Sequence, residues 1–120
     1  MAVPQSETPK EAIVLDRKLH EEMFHFHDAL VLDLVLNIAK RFASITLQAY
    51  PTYESKDRKL VVLWFEDVSS ISSTVDLKEM QRNEVAGTVV AIRLHERDQT
   101  TKIYLTGGAI LIRSKSPKMT

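Results

Sequence analysis

The amino-acid sequence predicts an α+β domain: mainly an antiparallel β-sheet of five or six strands in meander-like order, with one N-terminal α-helix packed on it. Two observations predict it. An apolar stripe with helical spacing runs from Ala12 to Met23, and a two-residue alternation takes over beyond it and persists to Arg113. A third observation, short polar turns between the alternating runs, favours neighbouring strands over long crossovers.

Residues 1–7 are polar and contain Pro4, so they read as a flexible arm. Thr8 suits a helix N-cap, Pro9 the first helical position, and Glu11 a capping box. Ala12, Leu15, Leu19 and Met23, widened by Ile13 and Val14, make one face of a helix over about 9–23. Asp16, Arg17, Lys18, Glu21 and Glu22 take the other face.

From Leu30 the pattern is that of a strand. Leu30, Leu32, Leu34, Leu36 and Ile38 alternate with Val31, Asp33, Val35 and Asn37, although a helix over 29–42 is the alternative that leucine's propensity supports. The second strand, about 44–50, sets Ile45, Leu47 and Ala49 against Ser44, Thr46 and Gln48. Pro51 and Glu54 to Asp57 make a turn. The third strand, Lys59 to Glu66, is apolar on both faces and so requires cover on both sides. Residues 67–84 are serine-rich and then charged, with room for a short edge strand. Val90, Ile92 and Leu94 make a fourth strand, Ile103 and Leu105 a fifth, and Ile110 and Ile112 a sixth. Gly107-Gly108 is placed at a tight hairpin between the last two. One domain then spans 8–114, and 115–120 form a flexible C-terminal tail.

The bulk composition narrows the function. Sixteen Lys and Arg balance sixteen Asp and Glu, so no overall field draws the chain to phosphate backbones, and a nucleic-acid partner is not expected. The basic run Arg113, Lys115, Lys118 reads as solvated tail. The absence of cysteine removes thiol catalysis and thiolate metal sites and suits a reducing compartment. The longest apolar run, Leu60 to Phe65, is far short of a membrane span, and the first residues lack a secretory pattern. The expectation is a cytoplasmic protein with no membrane association.

Few side chains suggest chemistry. His20, His25 and His27 lie close together and Asp28 adjoins the last. His25, His27 and Asp28 are the candidate metal ligands of an alternative reading, a small metal-binding protein or metal-dependent enzyme, with His95 as a possible addition from folding. The opposing reading has these histidines facing water or satisfying backbone groups. Glu21-Glu22 and Glu66-Asp67 read as solvated charges, and Ser69 to Ser73 lack the glycines of a nucleophile elbow. Trp64, Tyr104, Tyr50 and Tyr53 are the candidate contact residues, since aromatic side chains are enriched at interfaces; Trp64 also fits a core position. No cofactor is expected. The leading reading is a non-catalytic protein-binding domain with a protein partner or a second copy. A pocket for a small apolar ligand between helix and sheet is a third possibility.

Phe26-His27-Asp28-Ala29 followed by Val31 and Leu34, then Trp64-Phe65-Glu66-Asp67-Val68, then Gly107-Gly108, resemble the short motifs of a group of small bacterial proteins. In that group a His-Asp-Ala motif opens the first strand. It includes immunity-type proteins of polymorphic toxin systems. The resemblance spans about residues 26–113 and leaves the N-terminal segment outside, and Leu30 stands where the group commonly has a polar residue. It implies a small β-rich domain of the interaction or immunity type, and it carries no catalytic residues onto this chain.

Overall fold

The computed structural model describes residues 7–16, 26–50, 56–78 and 89–120. These form nine strands: β1 (Ile13–Val14), β2 (Leu30–Asn37), β3 (Phe42–Ala49), β4 (Lys59–Phe65), β5 (Ser70–Val75), β6 (Val89–His95), β7 (Thr100–Leu105), β8 (Gly108–Arg113) and β9 (Lys118–Met119). A short 3-10 turn, Glu96–Asp98, joins β6 to β7. The strands make two antiparallel sheets, one in the order β1-β9-β4-β3-β2 and the other in the order β5-β8-β7-β6.

Alternation explains the central strands. On β3, Ala43, Ile45, Leu47 and Ala49 are wholly buried. The cross-strand neighbours of the first three on β4 are Phe65, Leu63 and Val61, all core residues, while Ala49 faces Lys59. From the second sheet, Ile92, Ile103, Leu105, Ile110 and Ile112 meet them in one continuous apolar cluster. Burying each such aliphatic side chain contributes about 1.5–3 kcal/mol, and slipping one strand by a residue would turn its whole set to water.

Two edge strands depart from strict alternation. The register of β2 on β3 shifts between Val31 and Asp33, so Leu32 is extra. The register of β6 on β7 shifts between Val89 and Ala91, which leaves Val90 unpaired and exposed. Such bulges reverse the facing order of the residues that follow. Leu30 therefore shares a face with Gln48, whereas Leu34 and Leu36 sit beside Ile45 and Ala43 on the core side. The expected single leucine face of β2 is split in two, and Val90 does not share a face with Ile92 and Leu94.

The fold class differs from the α+β expectation. No helix of seven residues or more occurs among the described residues, and no N-terminal helix packs on a sheet. Thr8 and Pro9 do open a turn, closed by the bond from Ala12 N to Pro9 O (3.1 Å), but it does not propagate. Ile13 and Val14 instead pair with Met119 and Lys118 as β1. Leu15 continues the pairing by donating to Pro117 O (2.7 Å) and is buried in the core. Two adjacent β-branched residues fit a pleated strand better than a helix, and a long-range partner decides the matter. Residues 17–23 of the expected helix lie outside the described residues.

A single meander of five or six strands is likewise replaced by two sheets. The runs β2-β3-β4 and β6-β7-β8 are meanders, but the chain changes sheet after β4, and β9 returns to lie between β4 and β1. The segment 115–120, expected as a flexible tail, supplies β9. Met119 is buried, and Thr120 and Val62 exchange backbone bonds of 3.1 and 3.2 Å. The hairpin between β7 and β8 turns at Thr106-Gly107, with Leu105 facing Gly108. Gly108 therefore opens β8 rather than sharing the turn.

Candidate functional site

Two polar seams hold the sheets together. At the first, Asp28 N donates to Val89 O and Val89 N to Ala29 O, both at 2.8 Å, joining the start of β2 to the start of β6. Asp28 adopts φ 69, a left-handed conformation that Asp tolerates better than bulkier residues. His27 Nδ1 lies 2.8 Å from the carbonyl of the bulged Val90. A carbonyl only accepts, so Nδ1 is the donor in this contact. That Nε2 lies 3.6 Å from Asp28 Oδ1, and both side chains are largely exposed. Arg58 donates to Asp28 O (3.2 Å) while its guanidinium carbon stands 4.8 Å from the centre of the Tyr50 ring. The seam thus gathers His27, Asp28, Tyr50 and Arg58.

The second seam lies where β4 passes to β5 and β8 to β9. Val68 N donates to Arg41 O (2.8 Å), Ser69 N to Arg113 O (2.9 Å) and Lys115 N to Glu66 O (3.0 Å). Asp67 and Arg41 both take positive φ, and the Arg41 guanidinium pairs with the Asp67 carboxylate. Lys115 Nζ is 3.7 Å from Asp67, and Lys118 Nζ is 3.0 Å from Glu66. The hydrogen bond from Lys118 holds the Glu66 carboxyl below its ordinary range, against the opposing effect of partial burial, with further help from the charge of Lys115. Glu7, Thr8, Lys40 and Phe42 join Glu66, Asp67 and Lys115 around a groove of about 440 Å³.

The candidate contact residues are scattered. Trp64 is buried on the outer side of β4, tilted against Phe42 with ring centres 6.0 Å apart, and its Nε1 donates to Thr120 Oγ1 (3.0 Å). It braces the C-terminus and does not face solvent. Phe42 and the C-terminal residues supply part of the second-side cover that the doubly apolar β4 requires, while Leu60 stays open. Tyr104 on β7 faces Ala91 and Ala109, whose small side chains leave its ring partly exposed. Tyr50 packs under Arg58 at the first seam, and Tyr53 lies outside the described residues.

Of the candidate metal ligands, His27 and Asp28 are adjacent at the first seam, and His20 and His25 lie outside the described residues. Among the described residues no three His, Asp or Glu side chains converge on one point. His95 closes the far end of β6, about 16 Å along the strand from Val90 at the usual rise per residue. The small cavity beneath Leu15 and Pro117 measures about 20 Å³, room for one water, whereas pockets for apolar ligands run to several hundred. No helix among the described residues is long and apolar enough to cross a membrane.

Sequence reasoning missed Arg58, Arg41 and Lys118. Charges such as Arg41 beside Lys40 and Arg58 beside Lys59 carry no local signal of their partners, and the expected tail drew attention away from Lys118. It also missed the open edge of the first sheet. Among the described residues no strand pairs with β2 on the side away from β3. That edge carries Leu32, Leu36 and Ile38, exposed by 52%, 42% and 81%. Comparison with protein-family models, curated proteins and solved structures finds no match to this chain.

Proposed function

We propose that this chain is a non-catalytic protein-binding domain, of the interaction or immunity type, which docks a protein partner along the open edge of β2. One observation carries the proposal: an eight-residue edge strand, with Asp33 its one charge and regular pairing on β3 beyond its early bulge, presents exposed leucines and no lysine or proline. Edge strands that must remain alone are usually blunted by such residues or covered. A strand with free backbone groups and apolar side chains can accept another strand, with main-chain bonds giving affinity and side chains giving choice of partner. The polar residues gathered at the seams are engaged in bracing backbone crossings, His27 on Val90, Arg58 on Asp28, Arg41 on Asp67. The likeness of the His27-Asp28-Ala29 and Glu66-Asp67-Val68 segments to immunity-type proteins accords with a partner-binding role.

The test uses the full chain immobilised as bait beside the Leu36→Lys/Ile38→Lys variant. Both residues are exposed, so the variant is expected to melt close to the wild type. The wild type should retain a protein, identified by mass spectrometry, that the folded variant releases. Identical retention by the two overturns the reading.

A further inference from the structure

We propose that the partner strand is β2 of a second copy of this chain, paired antiparallel about a two-fold axis that passes beside Val35. The inference rests on the reading of β2 as the docking edge. A two-fold interface is self-complementary, so the sequence of the strand must match itself when reversed. Beyond the bulge, Leu34 and Leu36 point to the core side, while Asp33, Val35 and Asn37 point to the outer side, as their partners on β3 require. Only registers that keep both faces aligned continue the sheet.

Five such registers are centred on the residues beyond the bulge, and the one on Asn37 leaves Asp33, Leu34 and Val35 without strand partners. Centring on Asp33 sets the two Asp33 carboxylates face to face, an unfavourable like-charge pair. Centring on Leu34 sets Asp33 against Val35. Centring on Leu36 sets Val35 against Asn37. Centring on Val35 alone matches every position: Val35 faces Val35, Leu34 faces Leu36, and Asp33 faces Asn37, whose amide can donate to the carboxylate. It also brings exposed Leu32 of each copy to exposed Ile38 of the other. The core sides of both copies then merge through two Leu34–Leu36 contacts, covering side chains that each sheet leaves open at its edge. The chain's formal net charge of zero adds no repulsion between copies.

The experiment combines sedimentation with cysteine pairing in this cysteine-free chain. Wild type is expected to move with rising concentration from 13.7 kDa to twice that mass, while Leu36→Lys/Ile38→Lys stays at the lower value. Under mild oxidation, Val35→Cys alone links into dimers. Asp33→Cys alone does not, because its copies sit about 13 Å apart along the paired strands. A mixture of Asp33→Cys with Asn37→Cys does link. Efficient linking of Asp33→Cys to itself overturns the register. A wild type that remains at 13.7 kDa at every concentration overturns the dimer. In that case, retention of a different protein by wild-type bait and its release by the variant leaves the edge reading standing, and loss of both results removes it as well.

Discussion

Replacing Gly108 by alanine tests how tightly β5 is laid against β8. A methyl group built on Gly108 falls 1.7 Å from the carbonyl oxygen of Thr74, 2.8 Å from its carbon and 3.0 Å from Val75 Cα. All three atoms are backbone, so no side-chain rotation relieves the overlap. Gly108 also has φ 156, which L side chains rarely adopt. Restoring even a tight contact of about 3.2 Å requires β5 to retreat by about 1.5 Å, against an optimal separation of roughly 3.5–4 Å. A retreat of that size breaks the ladder where Val75 faces Gly108 and Thr74 faces Ala109. Two lost backbone bonds at about 1 kcal/mol each, with about 1–3 kcal/mol of backbone strain, give a destabilisation of about 3–5 kcal/mol. In a domain of this size that lowers the melting temperature by roughly 10–20 °C. Urea unfolding followed by circular dichroism measures it. The control is Gly107→Ala in the adjacent turn, where φ is not positive and a change below about 1 kcal/mol is expected. A Gly108→Ala protein as stable as this control would refute the argument from close approach.

Three further outcomes follow from the seams and the C-terminus. Because the Glu66 pKa is depressed in the folded state, the carboxylate contributes stability above the ordinary glutamate range near 4.5 and loses it as pH falls below that value. Glu66→Gln should therefore flatten the acid limb of the stability profile, by less than about 1 kcal/mol since the pair is half exposed, and a profile unchanged in shape would count against the Lys118 contact. Deleting 115–120 removes β9, the buried Met119 and the Trp64–Thr120 bond; a loss of about 3–5 kcal/mol is expected in denaturant titration, and a neutral deletion would contradict the placement of this segment. Asp28→Gly should retain stability while Asp28→Val loses about 1–2 kcal/mol, because φ 69 suits glycine and penalises a branched side chain; equal effects would show that φ is not what selects Asp28.

The strands that two-residue alternation marks are those that bury one face, and β3, β7 and β8 were legible for that reason, whereas β4 was legible as a run apolar on both faces. Ile45 and Leu47, or Ile110 and Ile112, announce their side of the sheet without reference to any partner. The first helix was not legible as a strand. Thr8, Pro9 and Glu11 supply local start signals, and Ala12 and Leu15 a plausible stripe. What overrides them is pairing with Lys118 and Met119, more than one hundred residues away. A two-residue strand such as β9 has no period to detect. At the candidate site, the sequence marked His27, Asp28 and Tyr50 but had no means of adding Arg58, one of three cations within 56–59, whose partners Asp28 and Tyr50 lie just before β2 and just after β3. The open edge of β2 was hidden because a leucine on an edge strand reads like a leucine in the middle of a sheet.

The motifs that first suggested kinship turn out to sit at the points where this fold changes direction. His27-Asp28-Ala29 bonds the start of β2 to the bulged start of β6, and Glu66-Asp67-Val68 carries the chain from one sheet to the other. Both contain an aspartate with positive φ, and both use a neighbouring cation, Arg58 or Arg41, to fasten the crossing. A two-sheet domain needs such fastenings wherever the chain switches sheets, because backbone groups leaving one ladder must find partners before entering the next. Residues placed for that purpose serve whatever partner the domain meets. Specificity must then come from surfaces these crossings leave open, and the edge of β2 lies directly beyond one of them. The bulge between Val31 and Asp33 turns Leu34 and Leu36 to the core side, at an edge that no described strand pairs. That bulge, rather than the crossing itself, sets the pattern of the strand a partner would read.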